Sequence, residues 1–290
     1  MTYPFAEPPP RRHRALRLIK RTFIGLVLLS CAWLWFVWPP PSWYRWAWPR
    51  QTAFMSMRRN EERRVLRQNP SKGELPRRLY QPVPIEAIAP VAKSAALVAE
   101  DHRFYEHAGI DYVEFRHALG YRPDDFSLSS ARDRAELWRA IQRTRSGKGR
   151  LRGASTITQQ LAKNLYLSPS RNPLRKLKEA VTAWRLEYWL GKDRILELYL
   201  NVVELGPEVW GVEAASQKYF RHSARQLTLD EAAALAGSLP FPLKSNPGYR
   251  PGRMRWRQAM IIRRVRGERI EIPRTAEEVD SVLPDTGRRE

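Results

Sequence analysis

Residues 172–202 read NPLRKLKEAVTAWRLEYWLGKDRILELYLNV, and their periodicity sets the fold class. Asn172 followed by Pro173 is a helix-opening pair: an N-cap side chain, then a proline in the first turn, where its missing N–H is not needed. Beyond it Leu174, Leu177, Val181, Trp184 and Tyr188 fall on one stripe at helical spacing. Residues 192–202 repeat the pattern with Ile195, Leu198 and Val202. Working outward, residues 86–100 carry Ile88, Val91, Ala95 and Val98 at the same spacing. Thr228-Leu229-Asp230-Glu231 is a capping box ahead of residues 232–239, which Pro240 and Pro242 close. Few stretches between residues 82 and 266 look like strands, so the domain is expected to be mainly α-helical.

The chain has 290 residues with a hydrophobic fraction of 43%, enough for a packed core and against disorder throughout. Its formal net charge of +21 predicts a polyanionic partner: nucleic acid, an anionic membrane surface or a phosphate-bearing substrate. The N-terminus narrows that choice. Residues 11–21 are mostly basic and residues 22–38, TFIGLVLLSCAWLWFVW, carry no charge. This pattern predicts a transmembrane anchor over 22–38 behind a cytoplasmic basic segment, 1–21, with the rest of the chain outside. No small-residue cleavage site follows, which argues against a removed signal peptide. Pro39-Pro40-Pro41 ends the span. Residues 39–81 then read as a basic, Trp-rich juxtamembrane segment, and 267–290 as a polar tail. Cys31 is the only cysteine, so the chain forms no disulfide within itself.

Three windows hold candidate chemistry. In Glu100-Asp101-His102-Arg103-Phe104-Tyr105-Glu106-His107, Glu100 falls at the C-terminal end of its expected helix beside a second acid, a setting that strengthens a carboxylate as a base. From this window alone an exposed surface acid is the simpler account. In Gly153–Asn164, a helix capped by Ser155 would stack Ser155, Gln159 and Lys163 on one face, near N–H groups that favour anions. A capped amphipathic surface helix explains the same pattern equally well. In Arg171–Glu179, Arg175 and Lys176 stand four and three residues from Glu179, expected on a solvent-facing side as modest ion pairs. Together the last two windows offer Lys163, Arg171, Arg175 and Lys176, a cationic group suited to a pyrophosphate.

The windows EDHRFYEHAGID, GASTITQQLAKNLYL, RKLKE and KDRILELYLNVVELG occur in this order, followed by GVEAASQKYF and LTLDEAAALAGSLPFP. They resemble the successive signatures of the family 51 peptidoglycan glycosyltransferases over roughly residues 82–266. The chain leaves no room for a penicillin-binding transpeptidase module, so the resemblance is to the monofunctional branch. It implies a lysozyme-like glycosyltransferase domain with a smaller membrane-associated jaw lobe, preceded by the anchor, in the bacterial inner membrane with the catalytic domain periplasmic. It also implies the reaction: lipid II and undecaprenyl-pyrophosphate-linked glycan are joined by inverting β-1,4 transfer.

By the same resemblance Glu100 is the general base and Asp101 its acidic neighbour. Glu179 is the second required glutamate, organising donor-side cations or a metal. Ser155, Gln160, Lys163, Asn164, Arg171, Arg175 and Lys176 contact the pyrophosphate and donor sugar. Glu197 reads as scaffold. A divalent cation, magnesium or manganese, is an open cofactor with no assigned ligands. The bilayer and other cell-wall synthesis proteins are the expected partners, and nucleic acid is not, since the basic residues are scattered and no binding motif occurs. Residues 112–152 are longer and more charged than the family pattern, which leaves the jaw's shape open. A lysozyme-type hydrolase would use a similar fold and a single glutamate, but would not need the pyrophosphate cluster. A noncatalytic scaffold would not need to keep both glutamates.

Overall fold

The computed structural model describes residues 11–33, 41–69, 71, 73–118, 127, 129–145, 155–166, 173–273 and 279. The chain divides into two units, residues 1–43 and 44–290. The described element of the first is α1, Arg11–Ala32, whose large apolar side chains are exposed, Leu28 and Leu29 among them. Among the described residues no helix is long and apolar enough to cross a membrane. Residues 34–38 of the uncharged run expected to span it lie outside the described residues.

The second unit is mainly helical. Its helices are α2 (Ala53–Gln68), α3 (Pro90–Glu100), α4 (Tyr112–Ala118), α5 (Ala131–Arg145), α6 (Ile157–Tyr166) and α7 (Pro173–Leu190). They are followed by α8 (Lys192–Val202), α9 (Val212–Phe220), α10 (Leu229–Ser238) and α11 (Gly252–Val265). Three short strands, β1 (Leu79–Tyr80), β2 (Glu204–Gly206) and β3 (Val209–Trp210), form a sheet in the order β1-β3-β2. The β1–β3 pairing is parallel and the β2–β3 pairing antiparallel. The segment 39–81, expected to lie ahead of the domain, thus supplies both α2 and a strand. Thr52 caps α2 by accepting from the Met55 N–H, and Met55 is fully buried.

The core packs α3, α10 and α11 together, with α6 against α7, α8 and α2. Small residues set how closely these helices approach. Ala92, Ala95, Ala96 and Ala99 of α3 and Ala232–Ala236 of α10 include mostly buried alanines that leave little side-chain bulk between the backbones. A Cβ on Gly237 would stand 2.9 Å from the Met254 carbonyl oxygen of α11. The expected Thr228–Glu231 capping box is present in full. Asn201 ties α8 to the incoming chain through Val83, donating to its carbonyl at 2.9 Å and accepting from its N–H at 2.8 Å.

Three expectations about packing are corrected. The stripe read along α7 faces outward: Leu177, Trp184 and Tyr188 are exposed, whereas Thr182, Ala183 and Leu186 turn into the protein. Glu179 lies on that inner side and is buried, not solvent-facing. The two faces of α7 both carry apolar residues, and periodicity alone does not say which meets the core. The described residues of the expected tail, 267–273 and 279, also contribute to the domain, since the Pro273 carbonyl accepts from Arg257 at 2.6 Å and Val279 is buried.

Candidate active site

Glu100 is the last residue of α3, and its side chain is 4% exposed, which removes the surface-acid account. Burying a carboxylate is costly unless donors replace water. Two do so. Arg257 Nη2 donates to Oε1 at 2.8 Å, and Gln160 Nε2 donates to Oε2 at 2.9 Å. Each oxygen keeps a lone pair beyond these bonds. The sequence expectation considered only the helix end and Asp101; the structure sets a guanidinium against the carboxylate.

Arg257 is fully buried on α11 between Met254 and Ile261, both also buried. Its Nη2 also donates to the Ala99 carbonyl at 2.9 Å, its Nη1 to the Ala236 carbonyl, and its Nε to Pro273. One planar fork therefore satisfies carbonyls near the ends of α3 and α10 while gripping Glu100. Sequence reading missed it among 51 lysines and arginines. The available signal was a positive charge inside the apolar run 254, 257, 261 at helical spacing.

Gln160 is oriented from behind. Tyr199, fully buried on α8, donates to Gln160 Oε1 at 3.2 Å, which leaves the amide NH2 for Glu100. Burial, with the Glu100 charge adding to it, holds the Tyr199 hydroxyl well above its ordinary range, so it stays a neutral donor. Tyr199 too was absent from the residues singled out in the sequence.

Asp101 points away from its neighbour. Its Oδ2 accepts from the Ile157 N–H at 2.9 Å, at the first residue of α6, and both its oxygens lie 3.1 Å from His107 Nε2. It joins α3 to the start of the helix that carries Gln160. The cap of α6 is Thr156, not Ser155. Thr156 Oγ1 accepts from the Gln159 N–H at 3.1 Å, and Gln159 Oε1 accepts from the Thr156 N–H at 3.2 Å. This reciprocal pair moves the register by one residue. Gln159 is consumed in the cap, and Gln160 faces Glu100.

Ser155, freed from capping, accepts from Lys176 Nζ at 3.1 Å. The same ammonium meets Glu179 Oε1 at 2.5 Å. Lys176 is about half exposed while the Glu179 carboxyl is buried, so a positive group stands at the mouth of a buried acid. Lys163 is partly buried, and Asn164 beside it is buried, both on α6. The backbone of Arg175 belongs to α7, but its side chain lies outside the described residues, as does Arg171 entirely. Glu197 pairs with Arg194, and Asn201 donates to its carbonyl.

Asp101, His107 and Asp111 present ligand atoms within 4.8 Å of one another, the one such group among the described residues. Asp111 Oδ1 caps α4 by accepting from Val113 and Glu114, while Oδ2 and His107 Nδ1 are buried without a hydrogen-bond partner. The set therefore keeps two unsatisfied ligand atoms, although Arg103 Nη1 stands 3.5 Å from Asp111 Oδ1. Glu179, by contrast, already holds Lys176.

A buried carboxylate clamped by a guanidinium, with a second acid–ammonium pair reached through the first turn of α6, fits a glycosyl-transferring site. A sequence model of the transglycosylase family matches residues 123–266. The biosynthetic peptidoglycan transglycosylase of Bordetella pertussis is 35% identical over 267 residues, 92% of this chain and 99% of that protein. That of Bdellovibrio bacteriovorus is 42% identical over 183 residues, 63% of this chain and 64% of its own. Penicillin-binding protein 1A of Escherichia coli is 41% identical over 187 residues, 64% of this chain and 19% of its own. The chain belongs to the transglycosylase family, that of the biosynthetic peptidoglycan transglycosylases, and is a peptidoglycan glycosyltransferase.

Proposed function

We propose that this enzyme polymerises lipid II into β-1,4-linked glycan, with Glu100 as general base. In this reading the acceptor's GlcNAc 4-hydroxyl approaches Glu100 Oε2. Its oxygen bonds to the donor's MurNAc anomeric carbon from the face opposite the leaving group, and its proton passes to Glu100. The bond from that carbon to the pyrophosphate breaks, the electron pair leaves with undecaprenyl pyrophosphate, and the configuration inverts. Lys163 and Lys176, with Arg171 and Arg175, meet the leaving charge, and Ser155 and Asn164 bind the donor alongside them. Glu179 holds the Lys176 ammonium in place. Asp101 acts by fixing the start of α6, and so the position of Gln160.

A magnesium or manganese ion would supply fixed positive charge. Asp101, His107 and Asp111 would hold it, and one imidazole with two carboxylates suits manganese better than magnesium. Residues 22–38 anchor the chain in the inner membrane with the catalytic domain periplasmic. A smaller jaw lobe would lie against that membrane, where other cell-wall synthesis proteins would meet the enzyme.

The observation that carries this reading is the seating of Glu100: buried, with one oxygen held by Arg257 and the other by a neutral amide. The test is turnover of purified protein on lipid II in detergent. Long glycan is expected from the native chain and none from folded Glu100→Gln. Release of short muropeptides from finished sacculi, with no polymer from lipid II, would sink the assignment.

A further inference from the structure

Glu187 is a nearly buried acid that the proposed chemistry leaves without a role. It lies on α7, about two turns beyond Glu179, and its Oε1 accepts two bonds. Thr158 Oγ1 donates to it at 2.6 Å from the first turn of α6, and Lys192 Nζ at 2.7 Å from the start of α8. The Lys192 ammonium also stands 4.3 Å from the ring centroid of Phe104, which is fully buried. Gly109 closes the same corner. A Cβ on it would stand 3.3 Å from Glu187 Cγ, and its carbonyl accepts from Thr156 Oγ1 at 2.6 Å. One carboxylate oxygen therefore joins α6, α7 and α8, while its stem packs against the loop that follows Glu100.

Thr158 is fully buried, and a threonine inside a helix ordinarily turns its hydroxyl to a carbonyl one turn back. α6 begins at Ile157, so no carbonyl of its own helix precedes Thr158 at that distance. Glu187 supplies the acceptor instead. Two residues on, about 200° around the helix, Gln160 donates to Glu100. The two contacts grip opposite sides of one turn. Rotating that turn by about 20° would carry a side-chain amide roughly 5 Å from the axis by about 2 Å, enough to break the 2.9 Å bond to Glu100. We infer that Glu187 is a positioning residue for glycan transfer: through Thr158 it fixes the rotation of the first turn of α6 and so aims the Gln160 amide at Glu100. The inference rests on the reading of Glu100 as the base. Leu161, Ala162 and Leu165 keep the rest of α6 in the core, and the bonds among Ser155, Lys176 and Glu179 do not pass through Glu187. Losing its bond to Thr158 therefore slows transfer and leaves donor binding in place.

The test measures kcat and KM on lipid II in detergent, with thermal unfolding, for the full chain and its Thr158→Val, Thr158→Ser, Glu187→Met and Glu100→Gln variants. Thr158→Val is expected to lose about tenfold or more in kcat while KM stays within about threefold. Glu187→Met is expected to match it, so either variant carries the test if the other fails to fold. Thr158→Ser, which keeps the hydroxyl, is expected to recover most of the loss. Because both residues act through one bond, the Thr158→Val/Glu187→Met double variant should lose no more than about threefold beyond Glu187→Met alone. A lowered melting temperature with kcat within about twofold of native in both single variants overturns the inference, as do losses that multiply in the double variant. Turnover retained by Glu100→Gln overturns the base and this role with it. An inactive Glu100→Gln beside Thr158→Val and Glu187→Met at the native rate overturns this role alone.

Discussion

Replacing Arg257 by methionine removes the one charged partner of Glu100 among the described residues and leaves a buried carboxylate held there by a single amide. Breaking a buried pair from one side costs about 3–5 kcal/mol, because the remaining charge is uncompensated. Three carbonyls, those of Ala99, Ala236 and Pro273, lose a donor as well. Glu100→Gln keeps an acceptor for Arg257 but strips the buried guanidinium of its counter-charge, so it should cost about 3 kcal/mol, the low end of the same range. If the charge is the origin of both losses, the double variant should be about 2 kcal/mol more stable than the sum of the singles predicts, within the range of directly contacting pairs. Urea unfolding of the four proteins in one detergent, followed by tryptophan fluorescence, closes the cycle. Additivity within about 0.5 kcal/mol would refute the clamp as an electrostatic device. Arg257→Lys supplies the second reading: it keeps the charge but not the fork, and it is expected to fold and to lose most of its turnover.

Lys176→Ala should raise the KM for the donor while changing stability by no more than about 1 kcal/mol, since the lysine is half exposed; an unchanged KM would remove it from the donor site. Thr156→Ala should cost about 1–2 kcal/mol and Ser155→Ala much less in thermal unfolding, and the reverse order would restore Ser155 as the cap. Burial, with the neighbouring Glu208 carboxyl adding to it, pushes Glu62 up to about 7, above its ordinary 4.5. The folded chain therefore binds a proton that the unfolded chain releases, and stability falls as pH rises from about 4.5 through about 7. Glu62→Gln should flatten that slope in a series of melting temperatures.

The helical class and the order of the motifs were legible because local signals carry them: proline at Pro173, the Thr228 capping box and apolar residues at helical spacing. Glu100, Asp101, Gln160, Lys176 and Glu179 were legible through resemblance, not through physics, since charge spacing could not separate a buried acid from a surface one. What stayed hidden depends on distant contacts. Arg257 lies 157 positions from Glu100, and nothing near it in sequence announces the pair. Tyr199 likewise acts across elements, through Gln160. The α6 cap failed for a smaller reason: Ser155 and Thr156 are both good caps, and only the reciprocal bond with Gln159 distinguishes them. The outward ridge of α7 failed because two apolar faces share one helix.

The clamp on Glu100 also orders events in time. The acid emerges early in synthesis, whereas Arg257 and the Pro273 carbonyl that braces it belong to the final sixth of the chain. Until α11 docks, the carboxylate is a loose helix terminus with no guanidinium to fix its rotamer. If Glu100 is the base, as proposed, a polypeptide that ends before α11 is expected to transfer no glycan however much of its upstream sequence is intact.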